Sequence, residues 1–310
     1  MKRIAVLFLL LAFCLGGCIQ RQSEDSVIFI VASDMGRRGV SEQQNIADLL
    51  GHFVEENKID FLAVAGDPIH NDGVMSVDDE EWNLKIENVY TAPSLHAIPW
   101  YVVSGNHEYN GSVQAIMDYS DVSERWNAPA RYFSFTRKIG DGDNECLFVF
   151  IDTAPLIDRY RNDEGYSDAG EQDMTAQLTW LERELSSSEV RWTIVVGHHP
   201  VYAKTTKALS ERTDMQQRVG TLLEEYGADI YICGHIHNFQ HIHPTGSKVH
   251  YIVNSSASQS RPVHDIDQVD GMIFGNPDPG FSVFSMNNNT CKIVFMNHQG
   301  ESIYNYTIAK

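Results

Sequence analysis

Five short polar motifs each sit directly behind an apolar run, and this repeated placement constrains the fold more than any other feature of the chain. Asp34 follows Val27–Ser33 (VIFIVAS). Gly66-Asp67-Pro68-Ile69-His70 follows Phe61–Ala65, and Gly105-Asn106-His107-Glu108 follows Tyr101–Ser104. Gly197-His198-His199-Pro200 follows Trp192–Val196, and Gly234-His235-Ile236-His237 follows Asp229–Cys233. Short apolar runs bounded by glycine turns read as buried strands. Residues 41–57 carry Ile46, Leu49, Leu50, Phe53 and Val54 at helical spacing. Helices are also expected near 80–90 and over 175–185 and 212–226. Further strands are expected at 131–137, 146–151, 249–254, 281–286, 291–297 and 302–308. The polar stretches 154–173 and 258–280 read as long loops, the first as a mobile one. Alternating strand and helix predicts an α/β fold, and in such sheets ligands bind in the crevice beyond the strand C-termini. One rim therefore receives two Asp, an Asn and several His.

That set suits metal chemistry. Carboxylate, amide carbonyl and imidazole are ligands for iron, zinc or manganese. No thiolate lies in any motif, which argues against a structural Cys-type zinc site. One carboxylate can bridge two ions, and two ions about 3.5–4 Å apart can clamp an in-line displacement at phosphorus. Composition narrows the partners. With 42 Asp+Glu against 23 Lys+Arg, the formal net charge is −19, which argues against a nucleic-acid-binding surface. A −19 chain also looks hostile to an anionic substrate. With 43% hydrophobic residues the chain can bury a sizeable core. No linker divides residues 27–310, which read as one domain.

The N-terminus reads as a leader. Met1-Lys2-Arg3 is a basic start, Ile4 to Leu15 is an apolar run too short to span a bilayer, and Leu15-Gly16-Gly17-Cys18 closes it. This run resembles the lipobox of bacterial lipoproteins. The resemblance implies that residues 1–17 are removed, that Cys18 carries lipid, and that residues 18–26 are a tether. The chain is then an exported membrane lipoprotein, in the outer membrane by the identity of Ile19, facing periplasm or exterior. Lipid on Cys18 is its only expected membrane contact. Cys146, Cys233 and Cys291 remain in the body of the chain. An odd number cannot all pair, so disulfides are not the framework, and sequence names no pair.

Taken together, the motifs resemble those of the calcineurin-like metallophosphoesterases, D…GD…GNH[DE]…GH…GHxH. Ser123-Glu124-Arg125-Trp126-Asn127-Ala128-Pro129, Ile151-Asp152-Thr153 and Gly197-His198-His199-Pro200-Val201-Tyr202 are similar to the low-molecular-weight, tartrate-resistant type of purple acid phosphatase. The similarity covers about residues 27–258. With the strand–helix alternation, it implies a four-layer α/β/β/α sandwich of two mixed β-sheets flanked by helices, the late β-rich segment supplying much of the second sheet. It implies an acid-phosphatase-like phosphomonoesterase, in which a metal-bound hydroxide attacks phosphorus in line. A phosphodiesterase or nucleotidase of the same superfamily, and a non-catalytic binding lipoprotein, are the other readings. Substrates would be small phosphate esters or phosphoproteins.

Carried over motif by motif, one ion would be held by Asp34, Asp67, His70 and His237. The other would be held by Asp67, Asn106, His198 and His235, with Asp67 bridging. His107 would stand beside the leaving oxygen. Glu108, His199 and His241 would line the substrate pocket. In place of the family's metal-ligating Tyr, three residues after the bridging Asp, this chain has His70. Imidazole gives no phenolate-to-iron colour, so the site is expected not to be purple. Di-iron, iron–zinc and manganese pairs all stay open.

Overall fold

The computed structural model describes residues 26–263 and 269–310. The leader, Cys18 and all of the tether except Ser26 lie outside the described residues. Fourteen strands are present: β1 (Val27–Ala32), β2 (Phe61–Ala65), β3 (Trp100–Val103), β4 (Trp126–Asn127), β5 (Phe133–Lys138), β6 (Glu145–Phe150), β7 (Trp192–Val196), β8 (Ile230–Cys233), β9 (Phe239–Ile242), β10 (His250–Val253), β11 (Met272–Asn276), β12 (Gly280–Met286), β13 (Thr290–Asn297) and β14 (Ser302–Ala309). They form two seven-stranded sheets, ordered β14-β13-β12-β1-β2-β3-β4 and β11-β9-β10-β8-β7-β6-β5. In the first, β1, β2 and β3 pair in parallel. In the second, β6, β7, β8 and β10 do so. Each sheet thus gathers several strand C-termini at one end.

Period-two alternation explains the layers. On β1, Val27, Phe29 and Val31 enter a core between the sheets. Ile28 and Ile30 face the other way, into a core shared with Ile46 and Leu50 of α1 (Gln43–Glu56). On β6, Cys146, Phe148 and Phe150 enter the central core. Leu147 and Val149 face outward instead, into a core shared with Leu181 and Leu185. Strands buried on both faces are continuous apolar runs, which is why the sequence shows them so plainly. Phe29 stacks on Phe61 (centroids 5.1 Å) and Phe284 (4.8 Å), and Phe148 meets Phe29 and Phe61 edge-on at 5.2 and 5.0 Å. This aromatic cluster joins the sheets and makes the sandwich four layers deep.

Seven shorter or later helices complete the described chain: α2 (Pro93–His96), α3 (Val113–Asp118), α4 (Asp158–Arg161), α5 (Ser167–Glu171), α6 (Met174–Ser186), α7 (Leu209–Met215) and α8 (Thr221–Tyr226). Asp173 caps α6 by accepting from the Ala176 amide at 3.0 Å. A π turn over Gln216–Gly220 joins α7 to α8, so the expected helix at 212–226 begins three residues earlier.

Four expectations are corrected. The late strands β12–β14 extend the sheet of β1, because β12 pairs with β1 in antiparallel register; they do not build the second sheet. The helix expected near 80–90 is reduced to one π turn, Asn83–Glu87. Residues 154–173 are not an unstructured loop: α4 and α5 lie there, with Ile157, Tyr160 and Ala169 buried. The stretch 258–280 contains β11. The three cysteines of the body are buried and free.

Truncating Phe148 to Ala removes a ring that touches both sheets. The expected cost is about 3–5 kcal/mol, read as a lowered denaturant midpoint with unchanged slope; a cost below about 1 kcal/mol would mean that the cluster does not join the sheets.

Candidate metal centre

The five motifs meet where the two sheets' strand ends converge. The loop after β1 continues the parallel pairing with the loop after β2: Asp34 N donates to Gly66 O (3.1 Å), Met35 N to Asp67 O (2.9 Å) and Gly36 N to Pro68 O (2.8 Å). The loop after β8, in the other sheet, joins them through the His235 amide, which donates to Asp34 Oδ2 at 3.0 Å. Four residues here adopt left-handed backbone: Asp34 (φ 52°), Asp67 (49°), His235 (68°) and His237 (62°). Left-handed backbone costs an L-residue roughly 1–2 kcal/mol, and such positions cluster at functional sites. Ser256 and Ser258 hold Asp34 in place, each hydroxyl donating to its carbonyl at 2.7 Å.

Two glycines make room for the side chains. A Cβ on Gly105 would fall inside contact distance of Asp67 Oδ1 and 2.7 Å from His198 Cδ2. A Cβ on Gly66, itself at φ 80°, would lie 2.6 Å from His198 Cβ. The glycines of GD and GNH therefore let Asp67 and His198 pack against backbone.

Each of three histidines spends one ring nitrogen on an acceptor behind it and turns the other inward. His198 Nδ1 donates to Ala65 O at 2.9 Å, leaving Nε2 3.0 Å from Asp67 Oδ2. His237 Nδ1 donates to Gln259 O at 2.6 Å, leaving Nε2 3.1 Å from Asp34 Oδ1. His235 Nε2 donates to Glu211 Oε2 at 3.1 Å, leaving Nδ1 3.3 Å from His198 Nε2. An acceptor behind the ring is the usual way to fix the tautomer of a metal-binding imidazole.

Some of the buried polar atoms among these motifs lack partners. Asp34 Oδ1, both nitrogens of His70 and Asn106 Oδ1 are buried without a hydrogen bond. His70 Nε2 stands 3.5 Å from Asp67 Oδ2 and 4.0 Å from Asp34 Oδ1. Buried polar atoms left unpaired are costly, so something must satisfy them. A proton on one histidine cannot serve His70, Asp34 and Asn106 together, whereas metal ions can. Four groups place their potential ligand atoms within 4.8 Å of one another: Asp34/His70/His237, Asp67/His70/His107, Asp34/Asp67/His198 and His198/His199/His235. The donor set therefore fits more than one ion.

The electrostatics agree. Burial alone would raise the pKa of Asp67, but the facing His198 and its hydrogen bond hold it well below the usual carboxylate range. Burial would likewise strip the proton from His198, yet Asp67 wins and pushes its pKa up to about 9. Asp67 and His198 thus stabilise each other's charge at the heart of the cluster. His70 has its pKa pushed down to about 3, chiefly by burial, which keeps its ring neutral.

His107 lies at the open side. Its Nδ1 donates to Asn71 O, its amide donates to Asp67 Oδ1 at 3.0 Å, and Nε2 is 3.9 Å from Asp67 Oδ2. Its side chain is 26% exposed, against 1% for His70.

The three expected pocket residues are placed differently. Glu108 is fully buried, and its carboxylate accepts from Ile69 N (3.1 Å) and Gly105 N (2.7 Å). It ties the GD and GNH loops together and lines no pocket. Burial, then the nearby Asp67 charge, push its pKa up to about 8. His241 is also fully buried, with its ring nitrogens paired to Tyr304 Oη (2.7 Å) and His250 Nδ1 (2.9 Å). His199 pairs Nδ1 with Thr153 Oγ1 at 2.7 Å and packs behind His235, centroids 4.4 Å apart; it too is closed to solvent.

Sequence reading missed Glu211 and Lys207. Glu211 is 2% exposed, and its second oxygen accepts from Arg159 and from Tyr160 Oη (3.3 Å). Lys207 Nζ reaches the His235 ring. Both lie in an unremarkable helix-opening stretch with no motif of its own.

Gly105→Ala should displace Asp67 and His198 while leaving the sheets intact. We expect a folded protein, by unchanged far-UV circular dichroism, that holds less than about half the wild-type metal. Full metal content in this variant would show that the close packing at Gly105 does not position Asp67.

The calcineurin-like phosphoesterase family matches residues 28–239. Purple acid phosphatase 4 of Arabidopsis thaliana is 30% identical over 93% of this chain and 85% of its own length. Human (Homo sapiens) tartrate-resistant acid phosphatase type 5 is 27% identical over 79% of this chain and 78% of its own. Among solved structures, GAP50, the anchor in the inner membrane complex of Plasmodium, superposes with a TM-score of 0.79 at 22% identity, covering 92% of this chain and 89% of that one, a likeness of fold. The sandwich, the converging strand ends, the matched family and the acid phosphatase relatives lead to one conclusion: this chain belongs to the calcineurin-like phosphoesterase family.

Proposed function

We propose that the chain is a dinuclear, metal-dependent phosphomonoesterase of the purple acid phosphatase type. The observation that carries this reading is that His198 and His237 turn Nε2 toward Asp67 and Asp34 and His235 turns Nδ1 toward His198, in a cluster where Asp34 Oδ1 and both ring nitrogens of His70 are buried without a hydrogen bond. Asp34, Asp67, His70 and His237 would hold one ion, and Asn106, His198 and His235 would hold the other together with Asp67. When bound, the two ions supply Lewis acidity toward the phosphoryl oxygens and a lowered pKa for coordinated water.

The chain's own residues do the rest. Neutral His70 completes the first ligand set without adding negative charge. Asn71 O holds His107 by Nδ1, so Nε2 is the atom that faces the site. With Nδ1–H kept on Asn71 O, His107 acts as the imidazolium: its Nε2 proton passes to the departing alcohol oxygen and the ring is left neutral. Arg37 and Lys207 lie within electrostatic range of both Asp34 and Asp67. They give an anionic ester a local attraction that the −19 chain as a whole does not. The leader, by sequence alone, puts the enzyme outside the cytoplasm on a lipid at Cys18.

Purified full-length protein should contain about two metal ions per chain and hydrolyse an aryl phosphate, and chelation should abolish turnover. His107→Gln should lower kcat about 10²–10⁴-fold with metal content unchanged. Two bound ions with no hydrolysis of any phosphate ester would overturn the enzyme reading. His70→Tyr, loaded with ferric iron, should acquire a visible charge-transfer band that wild type lacks; with ferric iron present in both and no band in either, His70 is not a ligand.

A further inference from the structure

With 42 Asp+Glu in the chain, a cation readily finds a carboxylate. Arg38 lies against Glu81, Arg125 against Glu87, Arg131 against Asp168, Arg159 against Glu211 and Arg218 against Asp158. Among the described residues, three cations beside the candidate centre make no ion pair with a carboxylate: Arg37, Lys207 and Arg261.

Each of the three is tied to a different candidate ligand. Arg37 directly follows Gly36, whose carbonyl accepts from the His70 amide at 3.0 Å. The Arg37 amide donates to Gln43 Oε1 at 2.8 Å, and its side-chain Nε is buried without a hydrogen bond. Lys207 Nζ stands 3.1 and 3.0 Å from the two nitrogens of the His235 ring, over the ring face. Arg261 donates its amide to His237 O at 2.7 Å and is itself exposed. Arg261 lies within electrostatic range of both Arg37 and Lys207, and these two lie within range of Asp34 and Asp67. Three unpaired cations set against one another repel, and partial burial of two of them adds to the cost. Glu211 is also within range of Lys207, but it already accepts from Arg159, Tyr160 and His235.

Charge and shape say what such a group recognises. The phosphoryl group that is cleaved belongs to the candidate ligands and the ions they would hold. The three cations stand outside that set and would be left unsatisfied by a neutral leaving group. Arginine presents a planar fork to phosphate oxygens, and lysine adds a point charge. We propose that Arg37, Lys207 and Arg261 form a receiving site for a second phosphoryl group on the ester, so that the preferred substrates carry two phosphates rather than one. The proposal rests on the dinuclear reading above and gives it a specificity. The second phosphate is either the neighbour in a phosphoanhydride or a separate ester on the same carbon skeleton, and the chemistry recognised is the same.

The test is equilibrium calorimetry on the full chain loaded with Zn²⁺, using ligands that cannot be hydrolysed and measuring metal content after each titration. Methylenebisphosphonate and propane-1,3-bisphosphonate represent the two sources, with methylphosphonate and propylphosphonate as their single-phosphonate partners. Wild type should bind at least one bisphosphonate at least about tenfold more tightly than its partner. That advantage should shrink at least about fivefold in each of Arg37→Met, Lys207→Met and Arg261→Met. Arg261→Lys, which keeps the charge, should retain most of it. The pair that shows the advantage identifies the source of the second phosphate. A merely structural role would weaken both members of a pair together, leaving their ratio unchanged, and that result overturns the proposal. So does binding with no bisphosphonate advantage, an advantage that survives all three uncharged variants, or Zn²⁺ uptake with no phosphonate bound. Arg261 is exposed, so its two variants decide the matter should either of the others fail to melt cooperatively. If wild type takes up no Zn²⁺, the dinuclear reading fails and takes the proposal with it.

Discussion

Asp34 and Asp67 are two carboxylates buried side by side, and the rest of the structure is arranged around that. Burial opposes their charge, yet the histidines facing them keep both ionised. No arrangement of neutral protein groups satisfies two such carboxylates together with an unpaired His70 and Asn106. The sheets make the juxtaposition possible. Asp34 and Asp67 come from adjacent parallel strands, with His70 and His107 from the same sheet, while His198 and His237 oppose them from the facing sheet. The aromatic cluster around Phe29, Phe61 and Phe148 clamps the two sheets, so the arrangement of the candidate ligands is inherited from the central core.

The same arrangement answers the difficulty raised by an acidic chain acting on an anion. The acids elsewhere are largely solvated or paired, as Asp158 is with Arg218 and Asp168 with Arg131. At the site Arg37 and Lys207 lie within electrostatic range of both carboxylates, and metal ions held there would reverse the sign locally. Global charge governs solubility and long-range approach; the field within a few ångströms governs what binds.

Much of this was legible in the sequence because buried parallel strands write themselves as apolar runs, and the turns behind them carried the motifs. The six Asp and His residues expected as ligands, with His107, fall in overlapping groups whose candidate ligand atoms lie within 4.8 Å of one another. What was hidden depended on the third dimension. β9 and β11 are short and lack a two-sided apolar pattern. Residues 154–173 look like a loop because each helix there is four or five residues long, too short for a period to register. Glu108 sat in a motif and was read as a pocket residue; only the fold reveals that its carboxylate is spent on the Ile69 and Gly105 amides. His241 alternated along an extended stretch, and sequence distance could not tell which face it took. Glu211 and Lys207 had no signature, since their importance lies in being opposite His235, 24 and 28 residues away along the chain.

The left-handed backbone at Asp34, Asp67, His235 and His237 also bears on how such a site can decay. The turns at Asp34 and Asp67 are held by backbone pairing, and that at Asp34 also by the serine hydroxyls, rather than by their own side chains. Only residues that tolerate positive φ can follow there: glycine at no cost, asparagine at little, β-branched residues at a heavy one. A descendant that abandoned catalysis would therefore not drift freely at these four places. It would be funnelled toward glycine and asparagine, and the outline of the lost centre would stay readable in its turns.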